Sequence, residues 1–154
     1  MTHELKISPQ ELRISAKVEN LASVLEFIEG ALEVVDCPMK TSITIQVAAE
    51  EIFVNIAHYA YDSDDENVGD VNIKLWFTEK SEANPLAVNI EFADAGKPYN
   101  PLDNADPDIT LSAEERDIGG LGVYMVKKSM DSVNYEYKDK LNILTIVKNI
   151  RLLH

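Results

Sequence analysis

The chain has 154 residues, 27 acidic against 14 basic, and a formal net charge of −13. Hydrophobic residues make up 45% and charged residues 27%, the balance of one globular domain with a continuous core. So acidic a chain repels nucleic acid, and its longest basic cluster, Lys127–Lys128, is too small for a duplex footprint. No apolar run reaches the roughly 18 residues that cross a membrane, and MTHELKISPQELRIS has no signal-peptide layout. A cytoplasmic, soluble protein is the expectation. Cys37 is the single cysteine, so no internal disulfide forms, and it reads as small apolar filler or a surface thiol.

In chain order, Leu5–Ile7 and Leu12–Ala16 alternate around Pro9 and read as edge strands. Leu21, Val24, Leu25, Ile28, Leu32 and Val35 recur at helical spacing, and Pro38 ends that helix. A second helix is expected from about Lys40 to Tyr61, its buried face carrying Ile45, Ala48, Ala49, Ile52, Ile56 and Tyr59. The acidic turn DSDDENVGD follows. Val71–Thr78 and Leu86–Ala93 read as neighbouring antiparallel strands. Periodicity then collapses over residues 94–118, a length that in a compact domain suits a functional lid. GGLG opens a short helix, Leu121 to about Asp131, and Val133–Lys138 and Ile143–Leu152 close the chain as strands. Consecutive strands without intervening helices argue against a doubly wound parallel sheet. The expected fold is α+β: a two-layer α/β sandwich with helices on one face of a mixed, mostly antiparallel sheet.

Three motifs carry chemistry. In EEIFVNIAHYAY, Glu51 and Asn55 are one helical turn apart. With Ile52 at the centre of the buried stripe, Asn55 lies about 60° away and Glu51 about 100° away on the same side, while Glu50 points about 160° away. A carboxamide oxygen suits a hydrated magnesium ion, and a carboxylate can take a proton from a hydroxyl or water. In FADAGKPYNP, Asp94 and Gly96 follow an apolar strand directly. An aspartate there can accept from an amino group, and glycine permits close approach to the main chain. In DIGGLGVYMVKKSMD, Gly119, Gly120 and Gly122 bring N–H groups together at a helix start, an arrangement that receives phosphate. Neither a P-loop nor a Rossmann fingerprint is present. Each motif alone is equally an ordinary helix margin, a turn or a hinge.

Taken in order, the three motifs resemble the GHKL ATPase superfamily, from about Leu12 to Ile150. DAGKP, the NIAHYAY ending and GGLGVYMVKKSMD are similar to its anti-sigma-factor serine kinase branch. The resemblance implies a histidine-kinase-like ATP-binding fold with ATP and Mg²⁺ as cofactors. It makes Glu51 the general base and Asn55 the magnesium ligand. It puts Asp94 on the adenine amino group with Gly96 beside the base, and Thr145 near that aspartate. The main chain of Gly120, Leu121 and Gly122 would hold phosphate, with Arg116 in the lid within reach. It further implies a homodimer, a small antagonist (anti-anti-sigma) protein as phosphoacceptor, and a sigma factor as a second partner. Sequestering a sigma factor without catalysis is the alternative function. Two departures stand out. His58 falls one place early and points about 120° from the stripe centre, so it reads as a surface residue. Leu121 stands where many relatives carry arginine, which removes a cation from the phosphate side.

DSDDENVGD fails as a calcium loop, with Asn67 at its sixth position and Ile73 at its twelfth. The helix before the nucleotide helix carries no histidine, which argues against a complete sensor histidine kinase.

Overall fold

The computed structural model describes residues 8–61, 68–79, 86–103 and 120–150. The expected strand Leu5–Ile7, most of the acidic turn and lid residues 104–119, with Arg116 and Gly119, lie outside them.

The first strand, β1 (Gln10–Ser15), leads through a short 3₁₀ turn into α1 (Leu21–Val34). Val24, Ile28, Ala31 and Leu32 form the buried stripe of α1. The helix ends before Pro38 is reached. Asp36 adopts φ 53°, its N–H bonds Glu33 O at 3.1 Å, and the Cys37 N–H bonds Leu32 O at 3.1 Å. This is a Schellman closure, with aspartate in the left-handed place usually given to glycine. Burial pushes the Cys37 thiol up, which disfavours the reactive thiolate.

The long helix α2 (Met39–Tyr59) buries Ile45, Ala48, Ala49, Ile52 and Phe53. Strands β2 (Asp70–Thr78) and β3 (Leu86–Asp94) follow, then α3 (Gly120–Ser129), β4 (Ser132–Lys138) and β5 (Leu141–Ile150). The sheet order is β1-β2-β3-β5-β4, and every pairing is antiparallel. The sequence left room for a mixed sheet; among the described strands none runs parallel.

Alternation assigns one face of each strand to the core. Leu12 and Ile14 of β1, Ile73 and Leu75 of β2, Ile90 and Phe92 of β3, and Leu144 and Ile146 of β5 join the helices in one cluster. Phe53 and Phe92 have no exposed surface, and burial of each contributes about 1.5–3 kcal/mol. Strand register decides where this apolar floor ends. Asp94 lies opposite Val71 on one side and Asn142 on the other. It therefore terminates the core-facing row of β3 with a polar group.

Candidate nucleotide site

One pocket opens where α2, α3 and the β3–β5 end of the sheet meet. Ile52, Asn55, Ile56 and Tyr59 of α2 form one wall and Val123 and Val126 of α3 another. Phe92, Asp94, Asn142 and Leu144 form the floor, and Lys97, Tyr99 and Leu102 close the rim. The space between the atoms, open mouth included, is about 630 Å³. The lining is mainly apolar with a few convergent polar groups, which suits a flat base with a polar edge.

Asn55 and Asp94 share this pocket. Asn55 faces it because α2 rests on the sheet through Ile52 and Phe53, which turns the margin of the helix towards α3. Its amide makes no hydrogen bond among the described residues, so its oxygen is open to a ligand. Asp94 is only 5% exposed. Its Oδ1 accepts from the Gly96 N–H at 2.9 Å and from Asn142 Nδ2 at 3.0 Å. Burial pushes its carboxyl up from the usual 3.8, and the Asn142 and Gly96 hydrogen bonds pull it back part of the way.

Glu51 is not in the pocket lining. It sits one turn before Asn55, with its carboxylate against Gly122: a Cβ at position 122 would collide with it. Only the flexible end of the Glu51 side chain stands there, so a side chain at 122 would displace that carboxylate. The backbone of Gly120 and Leu121 forms the first residues of α3, whose N-terminal N–H groups are the donors available to an anion there.

Gly96 has a packing role of its own. A side chain there would strike the backbone carbonyl of Ala60, and the Lys97 N–H bonds that same carbonyl at 3.0 Å. Its small size lets the turn after β3 pack on the end of α2; it does not line the pocket. Tyr61 completes the joint. Its hydroxyl donates to Asp70 O at 2.9 Å and accepts from the Ala95 N–H at 3.0 Å.

Thr145 is displaced from its expected role. It pairs with Glu91 and Asn134, on the sheet face opposite Asp94, because strand side chains alternate. The β5 residue beside Asp94 is Asn142, three positions earlier. Sequence reasoning missed it, although a lone asparagine in the row of Leu144 and Ile146 was a legible signal. His58 is exposed, as its helical angle implies, and tilts against Tyr59 with ring centroids 6.2 Å apart. Among the described residues no group of three or more His, Cys, Asp or Glu could hold a metal ion. No helix there is long and apolar enough to cross a membrane.

Residues 14–148 match the model of the histidine kinase-like ATPase domain family. The chain belongs to that family of ATP-binding domains. No curated protein sequence matches it. Among solved structures, the chain with the RsbU and RsbW domains of Rv1364c from Mycobacterium tuberculosis superposes with a TM-score of 0.61 at 12% identity. That match covers 94% of this chain and 33% of the other, so this chain spans a third of its relative's length. The Acinetobacter baumannii histidine kinase AdeS gives a TM-score of 0.44 at 11% identity, covering 96% of this chain and 70% of the other.

Proposed function

We propose that this chain is a serine protein kinase of the anti-sigma type, binding ATP with Mg²⁺ in the pocket and phosphorylating a small antagonist protein. One observation carries the reading. Asn55 and Asp94 line one pocket, while Glu51 stands at the start of α3 against Gly122. The adenine amino group donates to Asp94, the base packs between Phe92, Ile52 and Leu144, and the phosphates run towards α3.

A magnesium ion fits this donor set. Mg²⁺ retains several waters and takes phosphate oxygens, so the single open oxygen of Asn55 is a sufficient protein contribution. Such an ion neutralises developing charge on the phosphates. The chain's own residues do the rest. Asp94 and the apolar walls fix the base, and the N–H groups of α3 hold phosphate oxygens. Glu51 accepts the proton of the incoming serine hydroxyl as the new O–P bond forms and the bond to the β-phosphate oxygen breaks, releasing ADP. Phosphoryl transfer needs positioning and charge stabilisation more than covalent help, so a sparse site is adequate.

Leu121 favours a second reading. With no arginine at that place, the site has one phosphate-side cation fewer, and a nucleotide-dependent module that holds a partner without phosphorylating it needs none. The test is Glu51→Gln, assayed with γ-labelled ATP and antagonist-type proteins carrying a serine. Label transfer is expected to fall about 10²–10⁴-fold with ATP affinity within about threefold of the wild type. Undiminished transfer removes Glu51 as base. A wild type that binds such a partner only with ATP and labels nothing establishes the module instead.

A further inference from the structure

We propose that Asn142 and Tyr135 are positioning residues that make the pocket select a 6-amino purine over a 6-oxo purine, by holding Asp94 as a one-sided acceptor. The inference rests on the reading that Asp94 meets the base.

Asn142 is 6% exposed, and its amide orientation is fixed from both ends. Its Oδ1 accepts from the Tyr99 N–H at 3.1 Å and from the Tyr135 hydroxyl. A backbone N–H only donates, so the atom it meets is the carbonyl oxygen. The Nδ2 end donates to Lys97 O at 2.8 Å, to Gly96 O at 3.4 Å and to Asp94 Oδ1 at 3.0 Å. Carbonyls only accept, so a flipped amide would set oxygen against two carbonyls and a carboxylate, with its NH₂ against the Tyr99 N–H. Five contacts allow one orientation.

The consequence falls on Asp94. Its Oδ1 is taken by Asn142 and by the Gly96 N–H. Its Oδ2 accepts nothing among the described residues and is the oxygen left for a ligand. An exocyclic amino group donates to it. A 6-oxo group brings lone pairs against a carboxylate in a mainly apolar pocket, an unpaired contact that rejects the ligand. Asn142 has a second effect. Its hydrogen bond to Oδ1 also offsets part of the upward push that burial gives the Asp94 carboxyl; a protonated carboxyl would donate to a 6-oxo group, and discrimination would be lost. Tyr135 acts one step back, occupying the Asn142 oxygen so that the NH₂ stays on Asp94.

The test measures affinities of the wild type, Tyr135→Phe and Asn142→Leu for MgATP, MgGTP and the magnesium complex of purine riboside triphosphate, which has hydrogen at C6. The wild type is expected to prefer ATP over purine riboside triphosphate by about 10- to 100-fold, the worth of one hydrogen bond to a charged acceptor. Asn142→Leu is expected to shrink that preference to less than about threefold, mainly by weakening ATP, and to narrow the ATP/GTP ratio. Tyr135→Phe should shift both ratios in the same direction by a smaller factor. Being close to isosteric on edge strand β4, it keeps the test open if Asn142→Leu does not fold. Equal weakening of all three ligands would assign these residues a merely structural role and overturn the proposal, as would unchanged ratios in Tyr135→Phe. A wild type that binds ATP and purine riboside triphosphate alike would instead remove Asp94 from base recognition, a separate failure.

Discussion

Replacing Asp94 by asparagine should separate binding from stability. The Gly96 N–H and Asn142 Nδ2 both donate to Oδ1. In Asp94→Asn the new amide must keep its oxygen at that place, and its NH₂ then occupies the position of Oδ2. A donor would face the adenine amino donor. The ligand loses a hydrogen bond to a charged group, about 1.5–3 kcal/mol, and leaves a desolvated donor unpaired at a further 1–3 kcal/mol or so. Allowing for partial relaxation, ATP affinity should fall about 10²–10³-fold. Stability should move the other way. Burial raises the Asp94 carboxyl above its usual 3.8. A group raised in the folded state contributes its stability while protonated and loses it as pH rises through the folded value, so at neutral pH the charge is a net cost. The substitution should therefore raise Tm at pH 7.5, with the gain shrinking as pH falls towards 4. Isothermal titration with MgATP and a melting series across pH provide the assay. An ATP affinity within threefold of the wild type would refute the recognition argument. A lower Tm at pH 7.5 would refute the linkage argument.

The close approach of α2 and α3 gives a coupled prediction. Gly122→Ala sets a methyl where the Glu51 carboxylate lies; the carboxylate should swing aside, cutting phosphotransfer about tenfold with ATP affinity within about threefold of the wild type. With Glu51 already replaced by glutamine, the same glycine substitution should cost almost nothing further in phosphotransfer, a non-additivity that a double-mutant cycle measures. Gly96→Ala forces a methyl onto the Ala60 carbonyl, a backbone group that cannot move aside, and should cost about 1–3 kcal/mol in urea unfolding.

The element order was legible because the helices bury one-sided stripes and the strands alternate. The boundaries of α1 and α2 depended on finer chemistry. Asp36 closes α1 in a left-handed conformation, which no composition signal marks as it would a glycine. The site was legible on the helix, where a fixed angle per residue turns spacing into direction, so Glu51 and Asn55 could be placed relative to Ile52. On strands, direction depends on register. The β4–β5 hairpin turns on Asp139 and Lys140, both at positive φ, so that Lys138 pairs with Leu141. That two-residue turn settles the β4–β5 register that brings Tyr135 to Asn142, whereas the pairing of β5 with β3, which no tight turn sets, puts Asn142, and not Thr145, beside Asp94. Gly96 shows a different blind spot. A glycine that permits ligand approach and one that permits helix packing look alike in sequence, and the packing demand shows only in the position of the Ala60 carbonyl.

The central claim is that the pocket between α2, α3 and the sheet holds a nucleotide whose phosphates lie beside Asn55. ATP titrations with and without Mg²⁺, on the wild type and on Asn55→Ala, test it most directly. Magnesium should tighten ATP binding by the wild type about tenfold or more and leave the variant's weaker binding nearly unchanged. Equal magnesium enhancement in both proteins, or no ATP binding by the wild type, would contradict the account.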